Sequence, residues 1–147
     1  MVSGCVEKNL VTFILMKGKT NSLKASRPCE YVAFFTMEVP SMEGPVFVYM
    51  ACDAFSGFGF NTGAERDESP DNIIKHIYLL TEDKEFVRHR HKGFTLVLDR
   101  FEDLSDRIEG IIKGVNGTLL YNKSLHCEIA KPVRASFTKF TNKKERK

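Results

Sequence analysis

Three β-prone runs with short breaks between them occupy residues 31–64 and constrain the fold more than any other part of the chain. They are YVAFFTMEV (31–39), VFVYMACDAF (46–55) and FGFNTGA (58–64). The breaks contain the turn-forming residues Pro, Gly and Ser, so the pattern predicts an antiparallel meander. The middle run is apolar at nearly every position, which is typical of a central strand covered on both faces.

Helices alternate with short strands in the predictions for residues 69–121. Ser69-Pro70-Asp71 has the composition of a helix start, and apolar residues follow it at helical spacing. FTLVL (94–98) predicts a short buried strand that ends at Asp99. A second amphipathic helix and a strand at TLLY (118–121) come next, and the basic end is a candidate third helix. Strands joined through helices become parallel neighbours, so we expect an α/β domain with a mixed sheet.

The length of 147 residues is typical of one domain. We expect a leader of unclear role at residues 1–26, a core at 27–130 and a basic segment at 131–147. Within the leader, LVTFILM (10–16) reads as a strand or as a segment packed on the core. No apolar run approaches the roughly 20 residues of a membrane-spanning helix, and no Cys-x-x-Cys pair or secretion signal occurs. The prediction is a cytoplasmic protein with reduced thiols and no membrane association.

Charge is distributed unevenly along the chain. Residues 1–110 carry 13 Lys and Arg against 17 Asp and Glu, a balance of −4, whereas residues 111–147 carry 9 against 2, a balance of +7. The basic end is therefore a candidate contact for a polyanion such as DNA. Its candidate nucleic-acid-binding residues are Lys123, Lys131, Arg134, Lys139, Lys143 and Lys144. A frayed, solvated tail is the alternative for the last nine residues.

Two acidic residues close predicted strands. Glu38 lies at the end of the first strand and Asp99 at the end of the fourth. Ligand sites in such sheets lie at the carboxyl ends of strands, so these side chains converge if the two strands are neighbours. Carboxylates of this kind hold Mg²⁺ or Mn²⁺ together with substrate phosphates. Solvated acids at strand ends are the alternative interpretation.

Residues 27–58 carry a resemblance to a known family. Arg27-Pro28-Cys29-Glu30-Tyr31-Val32, Thr36-Met37-Glu38, Glu43-Gly44 and the segment ending in Asp53-Ala54-Phe55-Ser56-Gly57-Phe58 resemble the opening of the catalytic core of retroviral and transposon integrases. These cores belong to the ribonuclease H-like superfamily. The resemblance extends by pattern to about residue 122. It implies a ribonuclease H-like fold, metal-dependent polynucleotidyl transfer and a tendency to form dimers.

Carried across, the resemblance places the family's first two catalytic acids on Glu38 and Asp99, which would be the metal ligands. Glu128 is the nearest candidate for the third acid, on a helix with Pro132 in its first turn. Two features depart from the family. Glu38 is one methylene longer than aspartate, and Arg100 follows Asp99 where it would place a cation beside a metal. The resemblance thus implies a kept scaffold with an altered metal site.

Three functional hypotheses follow. The first is an integrase-core-like or transposase-like domain that binds nucleic acid without catalysis. The second is an active Mg²⁺- or Mn²⁺-dependent transferase or nuclease using Glu38, Asp99 and Glu128. The third is a homodimerisation domain that binds no nucleic acid. Phosphate-binding glycine loops are absent from the sequence, Ser56 reads as a turn residue, and the His and Cys residues lack the paired spacing of a zinc site.

Overall fold

Five strands form one mixed sheet in the order β3-β2-β1-β4-β5. The computed structural model describes residues 25–90 and 92–145, with side chains described as far as residue 136. The elements are β1 (Tyr31–Val39), β2 (Val46–Asp53), β3 (Gly59–Glu65), α1 (Pro70–Glu82), α2 (Lys84–Arg90), β4 (Phe94–Leu98), α3 (Ser105–Lys113), β5 (Gly117–Tyr121) and α4 (Lys123–Glu145). Residues 1–24, with the LVTFILM run, lie outside the described residues. In the described part, no helix has the length and apolar character needed to cross a bilayer.

The first half of the sheet is the predicted meander. β1 pairs antiparallel with β2, which pairs antiparallel with β3. The second half is parallel, because β4 pairs with β1 and β5 pairs with β4 in the same direction. The crossover from β3 to β4 contains α1 and α2, and the crossover from β4 to β5 contains α3. The predicted α/β class and the order of strands are confirmed.

The sheet is covered on both faces. Alternate residues of β1, Val32 and Phe34 among them, belong to a core that includes residues of α1, α2 and α3. The intervening residues Ala33, Phe35 and Met37 belong to a second core with residues of α4. Because a strand exposes its side chains to opposite faces in turn, β1 is apolar at almost every position.

Aromatic side chains of the meander serve mainly as packing surface. Phe34 and Phe35 are buried, and Phe60 contacts Phe86 edge-to-face at 5.7 Å between ring centroids. Phe86 in turn contacts Phe94 at 4.8 Å. Edge-to-face pairs of this kind stabilise a core beyond the area that they bury. Phe55 and Phe58 differ, since they are 51% and 55% exposed.

Asp53 organises the turn that follows β2, although it lies in the segment most similar to integrases. Its carboxylate accepts hydrogen bonds from the backbone N–H of Cys29 at 2.9 Å, from that of Phe55 at 3.1 Å and from Ser56 Oγ at 2.8 Å. The side chain is buried, so each bond replaces one that water would otherwise make. Gly57 completes the turn with a φ of 79°, which favours glycine. The motif therefore has a structural role.

Helix α1 begins as predicted, with Ser69 as the N-cap and Pro70 in the first turn. Helix α2 was not predicted, because its sequence reads as a charged stretch. Asp83 separates the two helices with an extended backbone, and its carboxylate accepts from the N–H groups of Glu85 and Phe86 at 2.9 and 3.1 Å. The same residue therefore ends α1 and caps α2.

Helix α4 begins directly after β5. Asn122 Oδ1 accepts from the N–H of Leu125 at 3.0 Å and so satisfies a free donor of the first turn. The helix runs without interruption across residue 131, so the end of the predicted core and the basic segment share one element. Pro132 was predicted in the first turn of its helix, and this is wrong: the helix starts at Lys123 and Pro132 lies in its interior.

Candidate functional site

The carboxyl ends of β1 and β4 meet beside the first turns of α4. The parallel register of β1 and β4 ends at the pair Ala33 and Val97. Phe35 lies two residues beyond Ala33, and Asp99 lies two residues beyond Val97. An even offset keeps a side chain on the same face of a strand. Phe35 therefore shares the α4 face with Ala33, and it is the next β1 residue on that face beyond the last paired position of the two strands.

Glu38 is not part of this arrangement. It pairs with Phe47 of β2, which packs against the core of α1 to α3, and its own side chain is exposed. The expected convergence of Glu38 and Asp99 is wrong, although their strands are neighbours as predicted. The reason is that Glu38 lies three residues beyond Phe35, and an odd offset places it on the opposite face of the sheet.

His126, in the first turns of α4, contacts Asp99 from the helix side. Its Nδ1 lies 3.6 Å from Asp99 Oδ2, and its Nε2 lies 2.8 Å from the backbone oxygen of Phe34. Because a carbonyl only accepts hydrogen bonds, Nε2 carries the proton and donates it. In the neutral ring, Nδ1 then presents a lone pair to the carboxylate.

The surroundings of His126 favour the neutral ring. Burial lowers its pKa below the ordinary value of 6.5, because a charged imidazolium would lose its hydration. The backbone oxygen of Phe34 and the carboxylate of Asp99 act in the opposite direction, whereas Arg134 and Arg100 lower the pKa further. The sequence analysis considered His126 only as a zinc ligand. Its spacing from the buried Ile129 and Ala130 was the signal that it faces the sheet.

Arg134 covers Phe35. The centre of its guanidinium lies 4.7 Å from the centroid of the Phe35 ring, within the range of a cation–π contact. The same ring is nearly perpendicular to the His126 ring, with 6.0 Å between the centroids. Lys123 and Lys131 lie on the same flank of α4 as Arg134, since the turn of about 100° per residue places all three within roughly 80°.

The remaining predicted site residues lie elsewhere or outside the described side chains. Glu128 is exposed and lies on the side of α4 away from the sheet, so the structure does not bring it to Asp99. Lys139, Lys143 and Lys144 lie in α4, but their side chains are outside the described part.

Arg100 was expected to place its charge beside the metal site, and this is wrong. Its Nη2 lies 2.6 Å from Glu68 Oε2 and 2.9 Å from Thr36 Oγ1. Thr36 is on the same face of β1 as Phe34, opposite to α4. The guanidinium also lies over the Phe101 ring, 4.6 Å from its centroid. The Arg100 side chain is therefore directed to the other face of the sheet, and its charge is paired with Glu68.

These residues do not fit a pair of Mg²⁺ ions. The side chain that faces Asp99 is that of His126, which packs against Phe35. The guanidinium of Arg134 covers Phe35 in turn. Mg²⁺ requires oxygen ligands, of which this arrangement supplies one carboxylate. Within residues 25–90 and 92–145, no three His, Cys, Asp or Glu side chains are grouped so that they could hold a metal ion, zinc included.

The sheet order, the crossovers and the position of α4 define an α/β domain of the ribonuclease H-like class, with the fold of an integrase catalytic core. The HTLV-2 integrase catalytic core domain in complex with magnesium is similar to this chain in its dimeric form, with a TM-score of 0.60 and 10% identity over 80% of this chain and 72% of that one. Its trimeric form gives a TM-score of 0.59, 9% identity and the same coverage.

A second viral integrase assembly is also similar. The simian T-cell lymphotropic virus intasome in complex with PP2A regulatory subunit B56 gamma gives a TM-score of 0.61 and 10% identity, over 87% of this chain and 44% of that one. No protein-family model matches the sequence, and no curated protein matches it significantly. The resemblance found in the sequence is thus confirmed at the level of the fold.

Proposed function

We propose that this chain is an integrase-core-like domain that binds nucleic acid, with DNA as the first candidate, and does not cleave or join strands. The observation that carries the proposal is that Asp99 faces His126, which packs against Phe35, where the fold brings β1, β4 and α4 together. A two-metal mechanism needs carboxylates that clamp both ions around the reacting phosphate. Phe35 and His126 leave Asp99 without such partners.

Nucleic-acid binding is supported by the charge of α4. Lys123 and Lys131 are exposed on the flank that Arg134 shares, and the sequence beyond them is basic. Lysine and arginine residues that neutralise phosphates supply most of the affinity for DNA, in a strongly salt-dependent manner. The three similar structures are those of integrase proteins, one of them in an intasome. The reduced, cytoplasmic state expected from the sequence remains part of the proposal.

Binding and cleavage are best tested on one preparation of the full chain. We expect filter binding of a DNA duplex whose affinity falls as salt rises, and no nicking of supercoiled DNA with Mg²⁺ or Mn²⁺. Lys131→Ala should weaken binding, whereas Arg107→Ala is the matched control. Arg107 is exposed on α3 and pairs with Asp71 at 3.4 Å, on the other face of the sheet.

Two results would contradict this proposal. Metal-dependent nicking that disappears in Asp99→Asn would establish the active transferase or nuclease instead. An affinity that salt does not change, or no binding at all, would remove the nucleic-acid partner. In that case light scattering decides whether the chain is a homodimerisation domain.

A further inference from the structure

Phe35 lies on the face of β1 that α4 covers, and its ring has a definite neighbour. The ring is 2% exposed and is held in the core between the sheet and α4. The Arg134 guanidinium lies 4.7 Å from its centroid. A guanidinium is planar and weakly hydrated, so an aromatic platform fixes its orientation and limits the rotamers of its long side chain.

Arg134 differs from the other arginines whose side chains the structure describes. Four of them form ion pairs, namely Arg66, Arg88, Arg100 and Arg107. Arg27 and Arg90 donate to backbone oxygens. Arg134 has neither an ion pair nor a hydrogen bond with another described residue. No described residue therefore occupies its donors, while one face of the group rests on Phe35.

The chemistry of the ligand follows from the donors. The fork of an arginine side chain matches the oxygens of a phosphate and binds them in a bidentate manner. Lys131 is one turn away and exposed, and it adds a second positive charge on the same flank. The nearby carboxylate of Asp99 is directed to His126 Nδ1 at 3.6 Å. A phosphodiester backbone is the polyanion that suits this flank of α4.

We propose that Arg134, held over the Phe35 ring, binds a backbone phosphate of the nucleic acid, and that Phe35 is the residue that positions it. This inference rests on the proposed function. It assigns a role to Phe35, which is the platform of a phosphate-binding arginine.

The test uses the full chain and a fluorescently labelled DNA duplex of about 20 base pairs, with anisotropy measured at several salt concentrations. Each phosphate contact adds about 0.9 to the magnitude of the slope of log affinity against log salt concentration. One such contact therefore raises the affinity at 0.1 M salt roughly eightfold relative to its effect at 1 M salt. We expect Arg134→Ala to lower the slope by about 1 and the affinity by about that factor. Phe35→Leu keeps an apolar side chain but removes the ring, and it should reproduce part of both losses.

The double variant identifies the positioning role. If Phe35 acts through Arg134, Phe35→Leu adds no further loss to Arg134→Ala. Arg134→Lys keeps the charge without the planar fork, and it should bind more weakly than the wild type. Phe58→Leu is the matched aromatic control, since Phe58 is 55% exposed and its ring contacts Phe60, which belongs to the core on the other face of the sheet. Thermal melting verifies that each variant is folded.

Additive losses from Phe35→Leu and Arg134→Ala would overturn the inference, and so would an unchanged salt slope in Arg134→Ala. If Phe35→Leu does not fold, Arg134→Lys decides alone, and affinity equal to that of the wild type overturns the role of the stacked fork. Failure of the proposed function gives a different result, because the wild-type chain itself then shows no salt-dependent binding.

Discussion

His126 has two ring nitrogens that face different partners, and this fixes how it responds to pH. Nε2 donates to the Phe34 oxygen, and Nδ1 faces the Asp99 carboxylate. The ring is 1% exposed, so protonation introduces a charge that water cannot reach. Burial lowers the pKa of His126, and Arg134 and Arg100 add to this effect.

The lowered pKa gives a pH dependence of stability with a definite sign. The folded state holds the ring neutral, so its contribution to stability is fully present above the unfolded value of 6.5 and is lost as pH falls toward the folded pKa. We expect the free energy of unfolding to fall on acidification below 6.5 by at most about 1.4 kcal/mol per pH unit from this residue. Urea denaturation between pH 5 and 8 measures it, and His126→Gln should show a smaller slope. Equal slopes in the two proteins would contradict the prediction.

The elements of the fold depend on a few residues at their ends, and α4 also contains a residue that weakens its middle. Pro132 has no N–H to donate to the carbonyl of Glu128, and its ring crowds the preceding turn. The side chain is exposed, so it does not repay this cost through packing. The helix is retained because Ile129 and Ala130 are buried against the sheet next to it.

We expect Pro132→Ala to stabilise the chain, because alanine restores the missing hydrogen bond. The gain should reach up to about 3 kcal/mol, the difference in helix propensity between these residues. Chemical denaturation and the helical circular dichroism signal both report it. Pro70→Ala is the matched control, since Pro70 occupies the first turn of α1, where no bond is lost and no gain is expected. A decrease in stability with Pro132→Ala would show that the proline is needed for packing.

At the scale of the whole molecule, the fold of an integrase core is kept although the identity to the similar structures is about 10%. The fold requires only that β1 and β4 be apolar on both faces and that α4 pack on one of them. Phenylalanine at position 35 meets that requirement better than a carboxylate would. The Phe35 ring thus adds to the apolar area buried in the second core.

Introducing carboxylates at positions 35 and 126 should create a metal site. The double variant Phe35→Asp with His126→Glu is expected to be less stable than the wild type by at least about 3 kcal/mol, because it loses a buried aromatic ring and gains buried charges. Mn²⁺ should raise its melting temperature, since binding to the folded state stabilises it. The wild type and His126→Glu alone are the controls, with no shift expected. A clear Mn²⁺ shift in the wild type would contradict the proposed absence of metal binding, even if the double variant does not fold.

Much of the fold follows from local patterns in the chain. β1 and β4 have the predicted bounds, and the Ser69-Pro70 start of α1 is confirmed, because apolar runs and capping residues act over a few neighbours. Helix α2 was missed because its sequence reads as a charged stretch, and its start depends on Asp83, which also ends the preceding helix. The motif around Asp53 identified the fold correctly while its aspartate has a structural role.

The amino-acid sequence by itself determined the order of the elements, the mixed sheet and the basic character of α4, since each depends on the nature of neighbouring residues. Only the tertiary structure decided which side chain stands beside Asp99. β1 is apolar on both faces, so no alternation in YVAFFTMEV marks the α4 face, and Glu38 and Phe35 were equally available by sequence. The pairing of β1 with β4 settles the question, because the register of strands whose paired residues, Ala33 and Val97, are 64 positions apart depends on how the whole sheet assembles.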